Sequence, residues 1–374
     1  MSARALCILL LSGCGFHSAA SALASDAAVD GASIDDPGNP NFCVGDAMVM
    51  ACLTQMPATP LMIDGTRMID TDGPDCAQDA VGSSASYCIL AGTSITIAAR
   101  QTLSAHGSRP LVLMSSGAIT VTGTIDVAGH LTGMPQVTGP GVPPATGPLC
   151  APATAAIKAG GGSGGSFGSI GGRGGADAPP TSNPGGVPPS PITLTTLRGG
   201  CSGEAGLDFE GAAGGAAGAG GGAVALLAVT TIQIEGVINA SGGGGGGSTN
   251  HNRGGGGGGA GGMIVIDAPM VTGMGDAAIF ANGGSGGEGN GGLIGRDGND
   301  APMDPNTAAA GGAGGSSGGD GGSGANKDAQ GGHAAGPGGD GTSAAGGGGG
   351  GGGVGVIKLY RAASLPGKVS PPPS

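Results

Sequence analysis

The chain has 374 residues, of which 91 are glycine; it contains no Trp, two Tyr and five Phe. It cannot fill a wide aromatic core, but it can line a narrow stack whose levels each need only a few Ile, Val, Leu or Ala side chains. A formal charge of −12, with 13 Lys plus Arg and no basic patch, excludes a nucleic-acid binder, whose affinity would rest on phosphate contacts. No run of about eighteen apolar residues is present to make a spanning helix.

Residues 1–13 read as an export signal. Arg4 supplies the positive end, ALCILLL the short apolar run, and Leu11-Ser12-Gly13-Cys14 looks like a bacterial lipobox, in which Cys14 becomes the lipid-bearing first residue. The rival is ordinary cleavage after Ala24, since Ala22-Leu23-Ala24 also fits a signal-peptidase site. The closeness of the apolar run to Cys14 favours lipidation. The expected address is therefore the outer membrane or cell surface, held through an N-terminal lipid, with secretion after cleavage at Ala24 as the alternative. Residues 14–42, small, acidic and punctuated by Pro and Gly, read as a flexible tether.

Six further cysteines follow: Cys43, Cys52, Cys76, Cys88, Cys150 and Cys201. An even number in an exported chain points to three disulfides. Zinc is the alternative, and the absence of CxxC or CxxH spacing speaks against it. Proximity in sequence favours Cys43–Cys52, Cys76–Cys88 and Cys150–Cys201 among the fifteen pairings that six cysteines allow.

Residues 43–130 carry the first repeats. A five-residue ending recurs as IDTDG at 69–73, LSAHG at 103–107 and IDVAG at 125–129, and later as INASG at 238–242 and IFANG at 279–283. Upstream lie alternating aliphatic pairs: Leu61 and Ile63, Ile95 and Ile97, Ile119 and Val121, Ile232 and Ile234. A second set comprises Leu111 and Leu113, Val224 and Leu226, and Ile264 and Ile266, with Ile357 alone in the last copy. The period is roughly twenty residues of short strands. Residues 131–221 form a Pro/Gly-rich insertion, 222–361 hold glycine-interrupted repeats, and 362–374 are a tail. In the repeats, Leu226 and Ile266 should share an inward position, with Asp267 pointing outward to solvent.

Glycine recurs at every third position over Gly162–Gly174, Gly283–Gly292 and Gly312–Gly324. That is the period of a three-residue helix packed backbone against backbone. Flexible loops are the alternative.

Acidic and histidine motifs are sparse. Asp70-x-Asp72-Gly73 with Asp79 resembles part of a calcium loop, but Met68 stands where the first acidic ligand belongs. Asp297-Gly-Asn299-Asp300 is a second acidic turn. His106, His130, His251 and His333 share no metal-ligand spacing, although His106 and His130 fall at or just after consecutive repeat endings and so come close in space. The strand charges Arg67, Arg100, Asp126, Glu235, Asp267 and Lys358 do not recur at one repeat position. No catalytic, cofactor or metal residue is assigned.

Five stretches carry a family resemblance: LSGC at 11–14, SRPLVL at 108–113, LRGGC at 197–201, VINASGGGGGG at 237–247 and GGGGGVGVIKLY at 349–360. With them the chain resembles glycine-rich surface lipoproteins of myxobacteria and related bacteria, with β-helix-like repeats. The resemblance implies a surface-anchored protein and brings no catalytic residues. The expected fold is all-β: a short right-handed parallel β-helix or related stacked-strand solenoid, with glycine-rich, polyglycine-II or flexible, insertions on one side. An antiparallel β-sandwich with glycine-rich loops is the alternative. The expected function is a non-enzymatic cell-envelope lipoprotein with a structural, adhesive or matrix role and an envelope polysaccharide or protein as partner. The alternative is a carbohydrate-binding or carbohydrate-active β-helix protein.

Overall fold

The computed structural model describes residues 41–374 apart from 47, 132–136, 145–148, 151–152, 179–182, 192, 250–251, 274–275, 315–316, 330, 334–344, 362–363 and 366. The Cys14 and Ala24 readings, and that of His251, lie outside them. The first element is an antiparallel hairpin of β1 (Phe42–Asp46) and β2 (Val49–Leu53), in which Cys43 faces Cys52 and bonds to it.

Short strands then come in threes. The first set is β3 (Leu61–Ile63), β4 (Arg67–Asp70) and β5 (Cys88–Gly92); the second is β6 (Ile95–Ile97), β7 (Thr102–His106) and β8 (Leu111–Ser115). The third is β9 (Ile119–Val121), β10 (Thr124–Asp126) and β11 (Ala223–Ala228), and the fourth is β12 (Thr231–Ile234), β13 (Val237–Asn239) and β14 (Met263–Asp267). The fifth is β15 (Met270–Gly273), β16 (Ala278–Phe280) and β17 (Val356–Tyr360), before a closing β18 (Lys368–Ser370). Like members pair in parallel. They build three stacked sheets ordered β3-β6-β9-β12-β15, β4-β7-β10-β13-β16-β18 and β5-β8-β11-β14-β17. The parallel register sets aside an antiparallel sandwich.

Because side chains alternate along a strand, one set from each sheet points into the stack. In-register columns result: Ile97, Val121 and Ile234; Leu103, Ile125, Ile238 and Ile279; Leu113, Leu226 and Ile266. All belong to one buried cluster, and the Leu226–Ile266 register is the expected one. Burying each such side chain is worth about 1.5–3 kcal/mol over leaving it exposed.

The middle of the third sheet, β8, β11 and β14, is buried on both faces. Val112, Met114, Ala225, Leu227, Met263 and Val265 form a second core with hairpin residues such as Val44 and Ala51, and with Phe167 and Leu197 of the insertion. Here the expectation for Asp267 is corrected. Its side chain leaves the inner core, but it is 1% exposed and paired with Arg361, whose Nη2 also reaches Ala228 O at 3.2 Å. The unbroken apolar runs LVLM, AVALLA and MIVI were the sequence signal for a strand covered on both sides.

The three long connections, 127–222, 240–262 and 281–355, each run from a strand of the second sheet to a strand of the third. They leave the stack at the same corner and pack there through backbone. In the tract 254–262 the N–H groups turn to three neighbours in rotation. Those of Gly254, Gly257 and Ala260 donate to Leu207, Glu204 and Cys201; those of Gly255, Gly258 and Gly261 to Gly347, Gly350 and Gly353; and those of Gly256, Gly259 and Gly262 to Gly246, Gly243 and Ala240. These bonds measure 2.7–3.0 Å. The tract also accepts from Gly162 and Gly165, from Gly215, Gly218 and Gly221, and from Gly284 and Gly287. It is thus surrounded by six other segments of the chain and buried throughout. A Cβ at Gly257 would stand 2.0 Å from Ser163 O, and one at Gly349 would stand 1.9 Å from Gly256 O. Glycine is required because backbone occupies the space a side chain would need.

Candidate functional site

A densely connected titratable group stands where the second sheet passes into the glycine tracts. β10 and β13 place Asp126 beside Asn239 in register, and Ser104 of β7 lies on the other side. Asn239 Nδ2 donates to Asp126 Oδ1 at 3.2 Å, which also accepts the Ala128 N–H. Asp126 Oδ2 lies 3.3 Å from His130 Nε2, and His130 Nδ1 lies 3.4 Å from Asp300 Oδ2. Asp300 Oδ1 accepts the N–H groups of Leu131 at 3.0 Å and Gly244 at 2.8 Å. One imidazole thereby joins a strand end, a glycine tract and the acidic turn at 297–300.

Hydrogen bonds to Asp126 and Asp300 outweigh burial and push the His130 imidazole up to about 10. Near neutrality it is an imidazolium donating from both nitrogens, with no lone pair to accept a proton. For Asp300, burial works against ionisation, but the hydrogen bonds from His130, Gly244 and Leu131 prevail and its carboxyl lies below the usual range. The arrangement is a clasp between charges. A cleft of about 340 Å³ opens beside it, lined by Thr102, Ser104, His106, Asp126 and His130 among others. The two histidines expected to approach each other do share this cleft.

The other motif residues are dispersed. Asp70 Oδ1 accepts the Asp72 N–H, whereas Asp72 accepts the Ser108 hydroxyl at 2.6 Å and the Ser108 N–H at 2.7 Å. Those bonds to Ser108 hold the Asp72 carboxyl below its ordinary value, with Arg109 and His106 adding to the effect. Asp79 faces Thr54 instead, and Asp297 accepts the Gly247 N–H at 2.7 Å. Among the described residues no group of three His, Cys, Asp or Glu side chains could hold a metal. Of the strand charges, Arg67 pairs with Asp75 at 2.8 Å, Asp126 with His130, and Asp267 with Arg361, so they face three separate places.

The six cysteines form Cys43–Cys52, Cys76–Cys88 and Cys150–Cys201, which suits an oxidising, extracellular environment. No helix among the described residues is long and apolar enough to cross a membrane. Two features escaped the sequence reading. The clasp spans 170 positions between His130 and Asp300, and no local spacing signals it. Glu204, beside a cavity in the insertion, sits in an ordinary glycine-rich stretch, CSGEAG. Compared with known proteins, the chain matches no protein-family model, no curated protein and no solved structure.

Proposed function

We propose that this chain is a non-enzymatic cell-envelope lipoprotein with a structural, adhesive or matrix role, anchored through Cys14. Its stacked sheets are read as a right-handed parallel β-helix, and its corner of glycine tracts as a polyglycine-II bundle. The rotation of the 254–262 N–H groups among three neighbours is the observation that carries this reading. Such a lattice spends its residues on rigidity and leaves few side chains for chemistry. The clasped His130 agrees, because an imidazole that is charged near pH 7 ties elements together and is a poor general base there.

Fractionated host envelopes provide the test. The protein should partition with membranes, Cys14→Ser should release it, and cells lacking it should lose surface attachment or resistance to envelope stress. A mature chain starting at Ser25 removes the anchor, and unaltered attachment and resistance in the deletion strain overturn the role. A second reading, carbohydrate binding, draws on the cleft lined by the polar side chains of Thr102, Ser104 and His106. Binding of purified protein to a glycan array, lost on Ser104→Leu, would favour it.

A further inference from the structure

A larger cavity, about 460 Å³, lies in the insertion on the glycine-tract side of the molecule. The Cys150–Cys201 disulfide forms part of its wall and cross-links the two segments that bound it. Ala153, Ala156 and Leu207 line its apolar side, and at the polar side Ser163 Oγ donates to Glu204 Oε2 at 2.8 Å. Its size and its apolar lining with a few convergent polar groups are those of small-molecule sites.

Glu204 is the feature that needs explaining. Its backbone is locked into the lattice: its N–H donates to Ser163 O, and its carbonyl accepts the Gly257 N–H. The side chain is therefore aimed by fixed backbone. Burial raises its carboxyl, with the Ser163 hydrogen bonds opposing. No salt bridge reaches it among the described residues. No other titratable side chain lines the cavity among them. The nearby Arg198 lies over the Phe167 ring at 4.5 Å, with Nη1 3.9 Å from Cys201 Sγ and Nη2 without a hydrogen-bond partner, and it makes no ion pair with Glu204. A half-buried carboxylate without a cation, facing an alanine-lined space, calls for a cation attached to an apolar body.

We propose that this cavity binds a small organic ammonium ion, its head donating to Glu204 and its hydrocarbon body lying along the alanine-lined wall. The inference stands independently of the envelope role.

Cyclohexylammonium is a suitable probe, with cyclohexanol and cyclohexanecarboxylate as neutral and anionic controls of similar shape. Titration of the full chain by NMR should give saturable binding of the ammonium alone, with a Kd on the order of 1 mM or tighter for so small a ligand. Glu204→Gln, which can keep the Ser163 contact, should weaken it at least about tenfold, the loss of one buried charge–charge contact. Ala153→Phe, which puts a ring on the alanine-lined wall, should abolish it while all three disulfides remain. Binding should also weaken as the pH is lowered and Glu204 takes up a proton, which burial makes it do above the usual carboxylate range. The proposal is overturned if no saturable ammonium binding occurs, if Glu204→Gln binds as wild type does, or if cyclohexanol binds equally well. Should Glu204→Gln fail to fold, undiminished binding to Ala153→Phe overturns it by itself.

Discussion

Asp297 and Asp300 stand three residues apart, and so do Gly247 and Gly244, whose N–H groups they accept. The carboxylates supply acceptors on the one face of the 242–248 tract where other faces meet carbonyls. Charge in this chain thus completes backbone hydrogen bonding, and His130 fastens the result to β10. The pH consequence follows from the raised imidazole value. A histidine raised from 6.5 to about 10 on folding stabilises fully below pH 6.5, and the contribution fades as pH climbs through about 10. Wild-type urea midpoints should therefore fall across that window, and His130→Gln should flatten the fall. Taking the difference between the two proteins cancels the two tyrosines, which burial raises above their ordinary value in both. Parallel curves for both would show that the clasp contributes no linkage.

At the scale of elements, the glycine tracts differ by where they lie. Interior tracts such as 254–262 are touched on every side and are nearly pure glycine, while Ala260 alone carries a methyl into the core below the third sheet. Peripheral runs keep glycine where a neighbour approaches. Gly318, Gly321 and Gly324 face the carbonyls of Gly289, Gly286 and Gly283, with Asp320 and Ser323 between them. Gly257→Ala should accordingly cost about 3 kcal/mol or more, since its methyl must displace the Ser163 carbonyl rather than a pliable side chain. Gly331→Ala, whose new methyl would come no nearer than 3.7 Å to Ile170 O, should stay within about 0.5 kcal/mol. Equal losses at both positions, measured by urea unfolding, would mean that the tract is not packed as described. The strands themselves were legible, because Ile, Val and Leu at alternate positions mark an inner face and the terminal glycine marks where backbone crowds in. The packed tracts were legible only as one of two readings, beside flexible loops. In tracts more than half glycine a three-residue period arises readily, and what distinguishes packing is partners far apart in sequence, such as Gly165 with Gly258 and Gly353. Glu204 was illegible for the same reason, as its cavity is assembled from remote segments.

The whole molecule joins two kinds of interior. On one side, aliphatic columns are buried within three parallel sheets; on the other, peptide groups satisfy one another with almost no side chains between them. Each backbone hydrogen bond nets only about 0.5–1.5 kcal/mol, and fixing one residue's backbone costs about 1–2 kcal/mol. Glycine sits at the costly end of that range. No single tract can therefore order alone, and the bundle must form as a unit seeded by the strands that feed it. The 254–262 tract runs directly into β14, and the 345–355 tract into β17. Native-state amide exchange, read residue by residue by NMR, addresses this claim most directly. The amides of 254–262 and 346–355 should be protected as strongly as those of Met263–Asp267, and the two sets should lose protection together as urea rises. Glycine amides exchanging at free-coil rates while Met263–Asp267 stays protected would show that the tracts are loops hung on a stack, and the account of this fold as a strand stack fused to a backbone lattice would fail.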